Sequence, residues 1–300
     1  MTHINTQIVE TNMMREIIDR TLNLHLHGGG GALWYGKSGI GKTATARHLA
    51  EKVNQHAASV DPSAFRVVHY HIGEISASSG NATKQAIKSL YEAALGRAID
   101  TGLYRRSLSE DLAIMLVREL RANKIEMIFI DGADVLAQSA IRAMMFVIKI
   151  AEDMGWGLSL IFIGNDPLPL SIQKVPPLFR RIFDWCYFEE YGLEETWEIL
   201  AGLHPHFGSL DPYNAEHVSQ IKFIHELIGG YPGPLVRFIQ LMDYYSKHNQ
   251  GTIDERFLRV VYHLSQQNRE KALEDSKNGG EKPLKLKGRR RSLVSASAKN

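Results

Sequence analysis

The chain of 300 residues contains a single cysteine, Cys186. A disulfide framework is thereby excluded, and a reduced, intracellular setting is expected. No uninterrupted apolar stretch approaches the roughly 18 residues a transmembrane helix requires. Met1 to Glu10 has neither a basic stretch nor an apolar one, so no secretory leader is expected and the location read from sequence is cytoplasmic. Charge of one sign is also lacking. Lys and Arg number 35 against 33 Asp and Glu, for a formal net charge of +2. Seven basic and no acidic residues lie between Lys282 and Asn300, and removing that +7 from +2 leaves −5 for residues 1–281. Bulk charge therefore does not make the body a nucleic-acid binder; local patches would have to do so. There is no internal repeat. What is present is ordinary for a globular chain, with 44% hydrophobic and 23% charged residues. At this size a core forms without a disulfide or metal staple.

Short apolar runs alternate with helix-like spacing through the first half. They are Ala32–Tyr35, Phe65–Ile72, Ile125–Ile130, Leu158–Ile163 and Phe183–Phe188. This alternation predicts an α/β fold whose five-stranded parallel sheet carries helices on both faces. The runs at 127–130 and 158–163 are nearly continuous, as central strands are. Gly28–Gly31 reads as a flexible lead-in to the first strand. Ser107-Leu-Ser-Glu110 has the form of a capping box ahead of a helix to Ala122. After Gly192 the spacing is helical only, over Leu193–Leu203, Ala215–Ile228, Leu235–Tyr245 and Ile253–Ser265. From about Glu270 the composition turns polar and then basic, as a disordered tail does. The expected organisation is an α/β nucleotide-binding domain over 1–191, a small helical lid over 192–268 and a basic tail over 269–300.

Gly36-Lys-Ser-Gly-Ile-Gly41-Lys42-Thr43 fits G-x-x-x-x-G-K-[ST] between a strand and a helix beginning at Ala44. Glycines let backbone N–H groups turn inward around phosphates, and the helix N-terminus adds positive potential. Gly36, Ser38, Gly39, Ile40, Gly41, Lys42, Thr43 and Ala44 are the expected binding residues for ATP. Lys42 would reach the β- and γ-phosphates, and Thr43 would ligate Mg²⁺. Met127-Ile-Phe-Ile-Asp131 is an apolar strand ending in an acid, the pattern of a second Mg²⁺ contact. Gly132 follows, where a Glu commonly orients the attacking water. Asp134 and Glu74 are the acids that could substitute, although for Asp134 the N-cap of the helix that follows is the favoured role. Asn165, at the tip of the 158–163 strand, could hold the γ-phosphate or the water. Arg180 and Arg181 precede the last strand and could present a finger to a neighbouring subunit's phosphate, with Arg181 slightly preferred.

Histidines recur in His-x-His pairs, of which His69 and His71 would share one face of a strand. No third ligand accompanies them, so structural roles are expected rather than a metal site. Arg105 and Arg106 lie in a Gly- and Tyr-containing loop that could grip duplex phosphates.

These residues resemble the AAA+ ATPases that regulate DNA transposition, typified by MuB, TnsC and TniB. The resemblance spans about residues 8–265. It rests on Ile8-Val9-Glu10-Thr11 with the helix after it, on Ser107 to Leu112 running into Lys124–Asp134, on Ala151-Glu-Asp-Met-Gly155, on Leu160–Asn165, and on Leu178-Phe-Arg-Arg181. It implies an ATP- and Mg²⁺-dependent homo-oligomer, ring or filament, on double-stranded DNA that recruits or stimulates a transposase, with or without a target-selection protein. It also raises Arg105 and Arg106 as channel residues. Two departures stand out: Gly132 in place of Glu, and Pro234 where an arginine often follows the lid's glycine turn, with Arg237 three residues on. Both imply slow hydrolysis and a long-lived ATP state. A DNA-independent signalling NTPase and a hydrolysis-deficient scaffold subunit are the alternative readings.

Overall fold

The computed structural model describes residues 8–71, 82–100, 108–136, 138–211, 213–249, 253–254 and 256–264. A leading helix α1 (Asn12–Leu26) precedes β1 (Gly30–Tyr35), α2 (Lys42–Ser59), β2 (Arg66–His71), α3 (Ala82–Leu95), α4 (Ser109–Ala122), β3 (Ile125–Asp131), α5 (Gln138–Asp153) and β4 (Ser159–Gly164). Two short helices, α6 (Leu168–Gln173) and α7 (Pro176–Phe179), lead to β5 (Ile182–Tyr187). Then come α8 (Leu193–Leu203), α9 (Pro205–Gly208), α10 (Ala215–Ile228) and α11 (Pro232–Asn249). All strand pairings are parallel, in the order β2-β3-β4-β1-β5.

Strand alternation sorts the side chains onto two faces. Leu33, Ile128, Ile130, Leu160 and Phe162 meet α3, α4, α5, α6 and α7 in one core. Ala32, Trp34, Val67, Met127, Phe129, Ile161 and Ile163 meet α1 and α2 in another. Both faces are covered, which explains why β3 and β4 read as continuous apolar runs. A third core joins α8, α10 and α11 through Leu200, Ile224 and Phe238, and Val9 and Met13 pack against it.

Local chemistry sets the ends. Thr11 caps α1, accepting from the Met14 amide at 3.3 Å. Asn214 caps α10, and Gly229 ends it in the left-handed region at φ +63°. Ser107 lies outside the described residues. The reach-back bond at α4 comes from Asp111, one residue beyond Glu110, whose carboxylate accepts from Leu108 N at 2.9 Å. α11 starts at Pro232, ahead of the expected Leu235, because proline suits a first helical turn whose N–H groups lack partners. The Gly28–Gly31 run is not a flexible lead-in. Gly30 and Gly31 belong to β1, and a Cβ on Gly29 would sit 2.8 Å from the Leu158 carbonyl oxygen.

The carboxyl ends of β1, β3 and β4 open onto one crevice. There the chain leaves β1 for a distant strand, the position where open α/β sheets bind ligands.

Candidate functional site

The loop from Gly36 to Gly41 turns between Tyr35 and Lys42 using three glycines at positive φ, +146°, +83° and +104° for Gly36, Gly39 and Gly41. Gly36 has a packing reason too, since a Cβ there would meet the Phe188 carbonyl oxygen at 2.7 Å. Lys42 opens α2 and is buried. Its ammonium donates to the carbonyls of Gly36 at 2.7 Å and Lys37 at 2.8 Å, which holds it inside the loop. Burial lowers its pKa, opposed by the nearby carboxylates of Asp134, Asp166 and Asp131. A phosphate within the loop would replace this lost solvation with charge-assisted contacts.

Asp131 ends β3 beside the start of α2. Thr43 Oγ1 donates to its Oδ2 at 2.8 Å. His69 Nε2 lies 3.2 Å from the same oxygen, and His71 Nδ1 lies 3.6 Å from it. Burial pushes the Asp131 pKa up, but the bonds from His69 and Thr43 outweigh that and hold the carboxyl below its ordinary value. Asp131 Oδ1 accepts no hydrogen bond among the described residues. A hydroxyl and an ionised carboxylate side by side, with one oxygen uncommitted, suit the hard-oxygen chemistry of Mg²⁺. Among the described residues no cluster of three His, Cys, Asp or Glu side chains could hold a metal by itself. An ion here would draw its remaining oxygens from water or a bound phosphate.

A cavity of about 1190 Å³ joins Lys42, Thr43, Asp131, Gly132, Asp134 and Asn165, with Arg47 and Arg237 also on its wall. Asn165 follows β4, and its amide donates to Asp134 Oδ2 at 3.0 Å. Asp134 is not the cap of the next helix. It sits in a single 3-10 turn, 133–135, and α5 begins only at Gln138. Gly132 is left-handed, at φ +78° and ψ +26°. Arg237 projects from the second turn of α11 into the cavity, so the lid supplies a cation here although Pro234 does not.

Beside the phosphate loop lies a second cavity of about 460 Å³, walled by Ile8, Val9 and Met14 on one side and by Tyr191, Ile199 and Leu203 on the other. Its apolar walls fit a flat heteroaromatic ring. The sequence reading missed this cleft, because it forms only when the leading segment meets the lid. Glu10 fastens that segment to α2 by pairing with His48 and Lys52. The lid touches the phosphate loop directly. Gly233 N donates to Gly39 O at 3.0 Å, and Lys37 and Tyr231 both bind Glu190 Oε1, at 2.6 Å and 2.5 Å.

The two candidate finger arginines differ. Arg181 is tied to Glu152 of α5, Nε to Oε2 at 3.0 Å, and to the Pro177 carbonyl. Arg180 is exposed, and its guanidinium has no partner among the described residues. Of the two, Arg180 is the one left free to reach outward. Arg105, Arg106, Glu74 and the tail 269–300 lie outside the described residues. Cys186 is buried, and burial raises its thiol pKa strongly, as in an inert core cysteine. No helix among the described residues is long and apolar enough to cross a membrane.

Residues 26–169 match the AAA domain family. No curated protein matches the sequence. Among solved structures, the ORC2 protein of Aeropyrum pernix, in ADPNP-ADP complexes, is similar at a TM-score of 0.63 and 14% identity, over 87% of this chain and 70% of that one. The ORC1 protein of the same organism, in complex with DNA, is similar at 0.61 and 16% identity, over 94% and 72%. Domain III of the Thermotoga maritima replication initiation protein DnaA is similar at 0.53 and 16% identity, over 85% and 92%. The fold is that of the P-loop AAA+ ATPases.

Proposed function

We propose that this chain is an ATP- and Mg²⁺-dependent switch that assembles as a homo-oligomer on double-stranded DNA and regulates transposition by recruiting or activating a transposase. The observation that carries the nucleotide half is the joining of Lys42, Thr43 and Asp131 at the end of the phosphate loop. Lys42 would bind the β- and γ-phosphates, Thr43 and Asp131 would hold Mg²⁺, and the apolar cleft between Val9 and Tyr191 would take the base. Bound Mg²⁺ would neutralise charge on the β- and γ-phosphates. Asn165 and Arg237 line the same cavity and would meet the γ-phosphate. Arg180 is the candidate finger toward a neighbouring copy.

The DNA half is supported by the resemblance to transposition regulators and by the fold shared with an ORC1 protein solved in complex with DNA. Arg105 and Arg106 are its nominated contacts, with Lys282 to Arg291 as an auxiliary arm. The transposase partner rests on the sequence resemblance alone.

The test is anisotropy of a labelled duplex titrated with the full chain, with ATP or ADP, alongside Lys42→Ala. Tight binding that requires ATP and disappears in Lys42→Ala is expected. ATP binding with no duplex affinity would favour the DNA-independent signalling NTPase. A Lys42→Ala protein that binds ATP like wild type would remove the nucleotide assignment.

A further inference from the structure

Gly132 offers no side chain to the cavity, and each acid on the cavity wall already has one oxygen engaged. Asp131 Oδ2 is bound by Thr43 and His69, and Asp134 Oδ2 by Asn165. A different group stands at the same wall. β2 pairs with β3 so that His71 is opposite Asp131. His69 and His71, two residues apart, share the sheet face that carries Val67 and Phe129 and packs on α2. Their exposures separate their tasks. The His69 side chain is 13% exposed and serves the Asp131 carboxylate, whereas that of His71 is 66% exposed and lines the cavity with Lys42, Gly132 and Asn165. His71 Nδ1 faces Asp131, and Nε2 has no hydrogen bond among the described residues.

We propose that His71 holds the attacking water for hydrolysis of the γ-phosphate, in place of the side chain that Gly132 lacks. This rests on the nucleotide half of the proposed function. The imidazole contributes a hydrogen bond that fixes where the water lies. The water oxygen bonds to the γ-phosphorus while the bond from that phosphorus to the β,γ-bridging oxygen breaks. ADP leaves with the electron pair, and the water's proton ends on the released phosphate. A glutamine amide orients water in this way in other phosphoryl-transfer enzymes, which makes His71→Gln the conservative replacement.

The experiment uses the full chain as wild type, His71→Ala, His71→Gln and Asp134→Asn. Mg·ATPγS binding is measured first, then phosphate release, then the thermal shift given by ADP with aluminium fluoride, a mimic of the phosphoryl group in transfer. His71→Ala is expected to bind Mg·ATPγS within about twofold of wild type. Its kcat should fall on the order of 10²-fold with KM little changed. It should also lose the extra shift from ADP–aluminium fluoride while keeping that from ATPγS. His71→Gln should keep most of the rate and the shift. The inference is overturned by a wild-type kcat in His71→Ala, by equal losses in His71→Ala and His71→Gln, or by loss confined to Asp134→Asn. Wild type releasing no more phosphate than Lys42→Ala would overturn it as well. A wild type that fails to bind Mg·ATPγS would instead sink the nucleotide reading beneath it.

Discussion

Gly132 combines two properties that pull a substitution in opposite directions. It lacks the carboxylate that would orient water, and it sits in the left-handed region at φ +78°. A side chain there carries strain on the order of 1–2 kcal/mol. Gly132→Glu is therefore expected to lower the melting temperature and to raise phosphate release. Gly132→Ala should lose similar stability with no gain in rate, which separates strain from chemistry. If Gly132→Glu folds, binds ATP and hydrolyses no faster than Gly132→Ala, water orientation does not limit the wild type. At this scale Lys42, Thr43 and Asp131 were legible in sequence, because a phosphate loop is local and an acid at a strand end is a simple pattern. His71 was not. Its meaning depends on the β2–β3 register, which brings it opposite Asp131 across 59 residues of intervening chain. The turn occupied by Asp134 was likewise hidden, since residue type alone suits a cap as well as a bond from Asn165.

The five strands and helices α8, α10 and α11 were placed by sequence to within a few residues, because apolar periodicity and capping residues are local signals. How elements are fastened to one another was not visible there. Arg181 is an example, since its partner Glu152 lies 29 residues away on α5. Arg180, next to it at the end of α7, stays exposed. Arg180→Ala is thus expected to abolish ATP-dependent oligomers by light scattering while leaving the melting temperature unchanged. Arg181→Ala should lower stability by less than about 1 kcal/mol, as exposed ion pairs do, and leave assembly intact. Loss of assembly in Arg181→Ala alone would make Arg181 the finger instead. The leading segment gives a pH-dependent case. Hydrogen bonds from His48 and then Lys52 hold the Glu10 carboxyl below its ordinary pKa. A carboxyl depressed in the folded state contributes stability above its unfolded pKa and loses it as pH falls through the folded value. Glu10→Gln should therefore melt earlier than wild type near neutral pH, and the gap should close in acid. A gap that persists unchanged below both pKa values would show that Glu10 acts by packing rather than by charge.

For the whole molecule, the fold brings the phosphate loop, the acid of β3, the amide of β4 and the arginine of the lid to one crevice, and the lid is bonded to the loop through Gly233 and Gly39. If the proposed function holds, such a bond would let a bound γ-phosphate bias the lid and hence the surface offered to a neighbouring copy. DNA affinity would then follow from assembly, because each copy contributes only a few cations. The body carries −5 over residues 1–281, so a single copy gains little from bulk attraction to a duplex. Binding in the ATP state should be steeply salt-dependent and nearly independent of sequence, as binding through DNA phosphates is. Every cation withdrawn from a DNA phosphate should reduce the slope of log K against log salt by about 0.9. Arg105→Ala with Arg106→Ala should reduce it by about two for each copy bound, weakening all duplexes alike. Removing residues 282–300 separates the two basic regions. A tail that binds DNA lowers the slope further, whereas a tail that serves the transposase leaves DNA binding unchanged and abolishes stimulation. An unchanged slope in the double arginine variant, with ATP-dependent assembly intact, would move the DNA-binding surface away from this loop.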